Sequence, residues 1–164
     1  MKLIYTLLIA IYLNSCGIYS FTGASIPAEA KTVSVQYFNN KSATVQATLS
    51  QVFTEKLKDI AIEQSNLTLS EYEGDLSFSG YISKYQIKPM AIKANETAGQ
   101  NRLTIAIKVI YKNRLNSENN FEQIFSRFQD YDSAENITDI ESALIEGITN
   151  ELVEDVFNKA FVNW

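Results

Sequence analysis

Between residues 140 and 164 an apolar side chain returns at every fourth position: Ile140, Leu144, Ile148, Leu152, Val156, Ala160 and Trp164. Such a row drifts slowly around a helix, and Ile145, Val153, Phe157 and Phe161 widen it into a broad stripe. Thr138 and Glu141 have the spacing of a capping box, in which each side chain satisfies an unpaired backbone N–H. A helix from there to the C-terminus is roughly 35–38 Å long at 1.5 Å per residue. A stripe of that length needs a wide apolar partner, and a sheet is the surface that supplies one.

The sequence offers the strands. Thr32 to Phe38 alternates, with Val33, Val35 and Tyr37 on one face, and Asn39-Asn40 ends it. From Thr44 to Gln64 the period changes to three or four, through Val45, Leu49, Val52, Phe53, Leu57, Ile60 and Ala61, which predicts a first helix. Leu67 to Tyr72 is a short strand candidate, and Glu73-Gly74-Asp75 is a turn in which Gly74 is free to take positive φ. Leu76 to Ile87 alternates again. Leu76, Phe78, Gly80 and Ile82 oppose Ser77, Ser79, Tyr81, Ser83 and Tyr85, and Pro89 is expected to stop the ladder. Met90 to Asn101 reads as a polar loop, Leu103 to Tyr111 as the strongest strand, the asparagine-rich 113–120 as a hairpin loop, and Phe121 to Tyr131 as a further strand. The expected order is β-α-β-β-β-β-α. The fold class is α/β (α+β): a two-layer sandwich with a mixed, mostly antiparallel sheet of four or five strands and two long helices on one face.

The N-terminus reads as a targeting segment. Lys2 is followed by an uncharged, mostly apolar run from Leu3 to Leu13, well short of the roughly 20 residues that span a bilayer. Leu13-Asn14-Ser15-Cys16 then places a large apolar residue at −3, a small one at −1 and cysteine at +1, the pattern of a bacterial lipoprotein cleavage site. The chain's one cysteine stands at that position, so residues 1–15 are expected to be a signal peptide and Cys16 the lipid-attachment site. Residues 16–30 form a tether whose Ile18, Tyr19, Phe21 and Ile26 are expected to pack on a single domain over 31–164. Removing Lys2 leaves 13 basic against 19 acidic residues, a mature net charge of −6.

The same composition closes off most chemistry. With no histidine, the Ser-His-Asp and Cys-His arrangements, HExxH zinc sites and facial-triad iron are all excluded. One cysteine excludes an internal disulfide and CxxC metal sites. There is no GxGxxG, no GxxxxGK[ST] and no SxxK, and we expect neither a metal nor a cofactor. The acidic balance argues against nucleic acid as a partner. Asp130 and Asp132 around Tyr131, and Glu71 and Glu73 around Tyr72, are carboxylate pairs of strand spacing, which we read as solvated strand ends rather than a Ca²⁺ or acid–base pair. No enzyme active site emerges.

One stretch departs from the overall charge. Lys84, Lys88, Lys93, Arg102, Lys108, Lys112 and Arg114 fall between residues 84 and 114 with Glu96 as the sole acid among them. On paired strands these side chains, with Tyr81 and Tyr85 between them, form a basic sheet face. Lys and Arg suit phosphate, and aromatics suit lipid or sugar. The residues alone leave two readings open, a solvated face of an antiparallel sheet or a binding face.

The start Cys16-Gly17-Ile18-Tyr19-Ser20-Phe21-Thr22-Gly23 is followed in order by Lys31-Thr-Val-Ser-Val-Gln-Tyr-Phe38, Leu49-Ser-Gln-Val-Phe-Thr-Glu-Lys-Leu-Lys-Asp59 and Gly74-Asp-Leu-Ser-Phe-Ser-Gly-Tyr-Ile82. Together these resemble the lipopolysaccharide-assembly lipoprotein family LptE in its Bacteroidota form. The resemblance implies two helices on one sheet and an acylated anchor in the inner leaflet of the outer membrane. It also implies a role as plug and assembly partner of the β-barrel translocon protein LptD. Family members bind lipopolysaccharide and catalyse no reaction. Gly17, in place of the aspartate associated with inner-membrane retention, and the missing Lys/Gln-plus-acidic export tether favour the periplasmic face. Lys84, Lys88, Lys93 and Arg102 become candidate lipopolysaccharide contacts. Asp132-Ser133-Ala134 resembles the O-glycosylation signal of Bacteroidota, making Ser133 a candidate modification site. The alternative is a stand-alone periplasmic lipoprotein that binds peptidoglycan or another envelope protein.

Overall fold

The structure, a computed structural model, describes residues 26–90 and 99–162. Its elements are β1 (Thr32–Val35), β2 (Asn39–Asn40), α1 (Leu49–Glu63), β3 (Thr68–Leu69), β4 (Leu76–Met90), β5 (Gln100–Asn113), β6 (Phe121–Asp132) and α2 (Ile137–Phe161). They form one mixed sheet in the order β3-β1-β4-β5-β6, with β2 following β1 along the same edge of β4. β1 is parallel to both β3 and β4, and β2 is parallel to β4. The long ladders β4–β5 and β5–β6 are antiparallel. The expected two-layer class stands, with six strands rather than four or five because Asn39-Asn40, read as a terminator, pairs with Tyr81-Ile82.

The core lies between the sheet and the two helices. Leu76, Phe78 and Ile82 of β4, Leu103, Ile105, Ile107 and Val109 of β5, and Leu152 and Val156 of α2 are completely buried. Phe78, Tyr111 and Phe161 meet edge-on or tilted, with centroids 4.9–5.9 Å apart, and fasten the C-terminal end of α2 to the sheet. Desolvation there raises the pKa of the Tyr111 hydroxyl. Thr54 in α1 accepts from the Phe38 N–H at 3.1 Å and donates to the Ser50 carbonyl at 2.7 Å, tying the β1–β2 link to the helix.

Several local expectations are corrected. The first helix begins at Leu49, not Thr44, and Val45 is exposed ahead of it. Thr48 gives no side-chain cap, and Gln46 Oε1 instead accepts from the N–H groups of Thr48 and Leu49, each at 2.8 Å. The strand expected over 67–72 shrinks to Thr68–Leu69. Gly74 has no positive φ, and its need is space: a Cβ there would lie 2.9 Å from the Ser34 N. The last helix is capped by Asn136, whose side chain accepts from the Thr138 N–H at 3.3 Å. The Thr138–Glu141 capping box does not form: Thr138 lies inside the helix, past the Asn136 cap, and Glu141 accepts a hydrogen bond from the Tyr85 hydroxyl.

Pro89 does not end β4. It pairs with Asn101, and Met90 with Gln100, so the expected loop over 90–101 is shorter at both ends. Beyond Ile82 no described strand covers the other edge of β4, and a proline is tolerated where its missing N–H faces a free edge. The asparagine-rich turn after β5 is held by its own side chains. Asn113 Oδ1 accepts from the N–H groups of Leu115 and Asn116, and Asn120 Oδ1 accepts from that of Asn113.

Candidate ligand-binding face of the sheet

The helices cover one face of the sheet, and the residues that alternate away from them build the other. In β5 the buried Leu103, Ile105, Ile107 and Val109 point to the helices, so Arg102, Thr104, Lys108, Ile110 and Lys112 point to the open face. In β4 the pattern changes hand. The register shifts between Ile82 and Lys84, a β-bulge at Ser83 closed by a hydrogen bond from Ser83 Oγ to the Ala106 carbonyl at 3.1 Å. One extra residue reverses every later side chain. Tyr85, expected on the open face, is therefore 5% exposed and belongs to the core. Burial, and then the Glu141 carboxylate, raise its pKa. Lys84 and Lys88 are carried to the open face by the same shift, opposite Ala106 and Arg102.

The sequence-predicted basic set divides in two. Lys84 and Lys88 are exposed and have no ion pair among the described residues. Arg102 is committed: its Nε and Nη2 donate to the two carboxylate oxygens of Asp130 at 2.6 and 2.8 Å, and its guanidinium lies 3.6 Å from the Phe128 ring centre. That carboxylate raises the Arg102 pKa. Asp130, read from the sequence as a solvated acid, is thus the partner of a cross-strand pair. Lys93 and Cys16 lie outside the described residues. Ser133 is exposed in the turn after β6, where its N–H donates to the Gly99 carbonyl at 3.0 Å.

The structure adds residues that the sequence did not bring together. Lys41, just past β2, sits 4.6 Å from the Tyr81 ring centre, and Lys108 approaches the same ring at 6.0 Å. Lys108 is paired with Glu122, whose carboxylate raises its pKa. Ile124 and Phe128 of β6 stand on this face and are 59% and 51% exposed. The outward alternation of β6 around the buried Phe125 was the signal for them. The open face therefore carries Lys41, Lys84, Lys88, Lys108 and Lys112 with Arg102, against Glu122, Asp130 and Asp132. Apolar and aromatic side chains lie between the charges. Point-charge lysines beside exposed apolar groups match an anionic, acylated ligand. Among the described residues no group of three or more His, Cys, Asp or Glu side chains is placed to hold a metal, and no helix is long and apolar enough to cross a membrane. Glu71 and Glu73 flank the exposed Tyr72 in a shallow groove beside β1, where Glu73 reaches Arg114 at 3.9 Å.

Solved structures share this architecture. A minor lipoprotein from Acinetobacter baumannii superimposes with a TM-score of 0.51 at 12% identity, over 79% of this chain and 91% of that one. A hypothetical protein from Chlamydia trachomatis gives 0.51 at 9% identity, over 82% and 99%. A putative neuraminyllactose-binding hemagglutinin homolog from Helicobacter pylori gives 0.50 at 8% identity, over 83% and 88%. At these identities the likeness is one of fold. No curated protein matches the chain in sequence. The family profile described as "LptE: Lipopolysaccharide-assembly" matches residues 30–160, from the entry into β1 to the last turn of α2. With that match over most of its length, the chain belongs to the LptE lipopolysaccharide-assembly family.

Proposed function

We propose that this protein is the lipoprotein subunit of an outer-membrane lipopolysaccharide translocon. It binds lipopolysaccharide and plugs and helps to assemble an LptD-type β-barrel. The observation that carries this reading is a family match that spans a sheet whose open face gathers unpaired lysines beside exposed apolar side chains. Membership in a family of non-catalytic lipoproteins fits a chain without histidine.

In this reading the lipid A phosphates meet Lys84, Lys88 and Lys93, with Arg102 holding the adjacent strand through Asp130. Acyl or sugar groups lie against Phe128 and Ile124. Acylation at Cys16 holds the protein to the inner leaflet of the outer membrane on its periplasmic face, with residues 1–15 removed. Ser133, exposed in its turn, is accessible to O-glycosylation.

Three measurements test the proposal. The protein should co-purify from detergent extract with a large outer-membrane barrel protein, and that barrel should be lost from the membrane when this protein is depleted. Changing Lys84, Lys88 and Arg102 together to glutamine should weaken lipopolysaccharide binding roughly tenfold. Isolation as a free monomer while the barrel is present in the same cells would sink the translocon assignment. Unchanged affinity in the triple variant would move the contacts elsewhere.

A further inference from the structure

Among the described residues, the upper half of β4 has a free edge. β2 pairs with β4 only as far as Ile82, whereas β4 continues to Met90. From Ser83 onward its backbone is paired with β5 on one side and with no described strand on the other. The bulge at Ser83 marks where the neighbouring strand stops, and Pro89 closes the far end. Between them lie Lys84, Tyr85, Gln86, Ile87 and Lys88, about five residues of open edge.

The side chains along this edge select what can add to it. Lys84 and Lys88 stand on the open face with no ion pair among the described residues. Ile87 points to the helix side and remains 38% exposed, unlike Ile105 and Leu103 beside it. Edge lysines guard a sheet against a second copy of itself, because two such edges bring like charges together. The same lysines favour a strand that carries carboxylates at alternate positions on that face. The outer edge of β6 differs. Its Glu122 and Arg127 are engaged with Lys108 and Asp155, and Asp130 with Arg102.

We infer that Ser83–Lys88 is a docking edge for an extended segment of a partner polypeptide, with acidic side chains meeting Lys84 and Lys88 and an apolar one meeting Ile87. Main-chain hydrogen bonds supply the attachment and the lysines supply the choice of partner. The inference rests on the unpaired edge, and it shares Lys84 and Lys88 with the lipid contacts proposed above.

The probe is a synthetic peptide of alternating Glu and Val, compared with an alternating Lys and Val peptide and with an N-methylated Glu/Val peptide that lacks backbone donors. Each is titrated into the isotopically labelled full protein in detergent, and the backbone amides are followed by NMR. The Glu/Val peptide should shift the amides of 83–88, and the other two should not. Reversing both charges (K84E with K88E) should weaken the Glu/Val peptide roughly tenfold and admit the Lys/Val peptide. Equal binding of the N-methylated peptide, shifts confined to β6, or indifference to charge reversal would each overturn the inference. Lipopolysaccharide binding to the unsubstituted protein, measured without peptide, tests the translocon assignment separately.

Discussion

At the scale of single residues, two positions are dictated by backbone geometry and by a carboxylate. Gly80 has φ +152°, and a Cβ there would come within 1.9 Å of the Lys108 carbonyl and 2.8 Å of the Phe38 ring. Its missing side chain is what admits Phe38 against β4. Gly80→Ala is expected to destabilise the fold by about 2–4 kcal/mol, measured by urea unfolding, because strain and overpacking act together. Asp75 Oδ2 accepts from the N–H groups of Lys31 and Thr32 and from the Thr32 hydroxyl, all within 3.0 Å. The Lys31 N–H first, then the Thr32 groups, hold its pKa below the usual carboxylate value. A folded pKa below the unfolded one gives stability that is complete above about pH 4 and lost as the pH falls through the depressed value. Asp75→Asn should therefore lower the melting temperature at pH 7 and flatten its decline below pH 4. A parallel pair of melting-temperature profiles would show that the carboxylate charge plays no part.

At the scale of elements, α2 was legible because its stripe is periodic over its whole length. Leu144, Ile148, Leu152 and Val156 are buried as the spacing requires. Phe161 anchors its last turn in the Phe78–Tyr111 cluster, and Phe161→Ala should cost about 3–5 kcal/mol. Glu146, on the exposed side and 3.6 Å from Lys56, should change stability by less than about 0.5 kcal/mol when replaced by alanine. Equal effects of the two in the same unfolding assay would mean that the stripe does not set the packing. The upper part of β4 was not legible in the same way. A bulge inserts one residue without changing composition, so alternation counted from Leu76 assigns Tyr85 to the wrong face. Pro89 misled for a related reason: its effect depends on whether a neighbour lies beyond it, and neighbours belong to topology. The candidate face was partly legible. Lys84 and Lys88 share a side by local spacing, while the capture of Arg102 by Asp130 requires the register of β6 on β5.

At the scale of the whole molecule, strand direction fixes what lies at each end of the sheet. Because β1 is parallel to β4 and starts beside Leu76, the entry of the chain lies at the opposite end of β4 from Met90. β4 runs fifteen residues, roughly 45 Å at strand spacing, more than the ~30 Å hydrocarbon thickness of a bilayer. With the acylation proposed at Cys16, a spin label at Lys31→Cys should be reached by lipid-borne quenchers more than one at Lys88→Cys. Comparable quenching at both sites would mean that the domain lies flat. The parallel start of β1 thus sets the entry of the chain and the Lys88 end of β4 at opposite ends of a stiff, cantilever-like sheet. Force applied at the Lys88 end is carried down two continuous antiparallel ladders to the end where the chain enters β1.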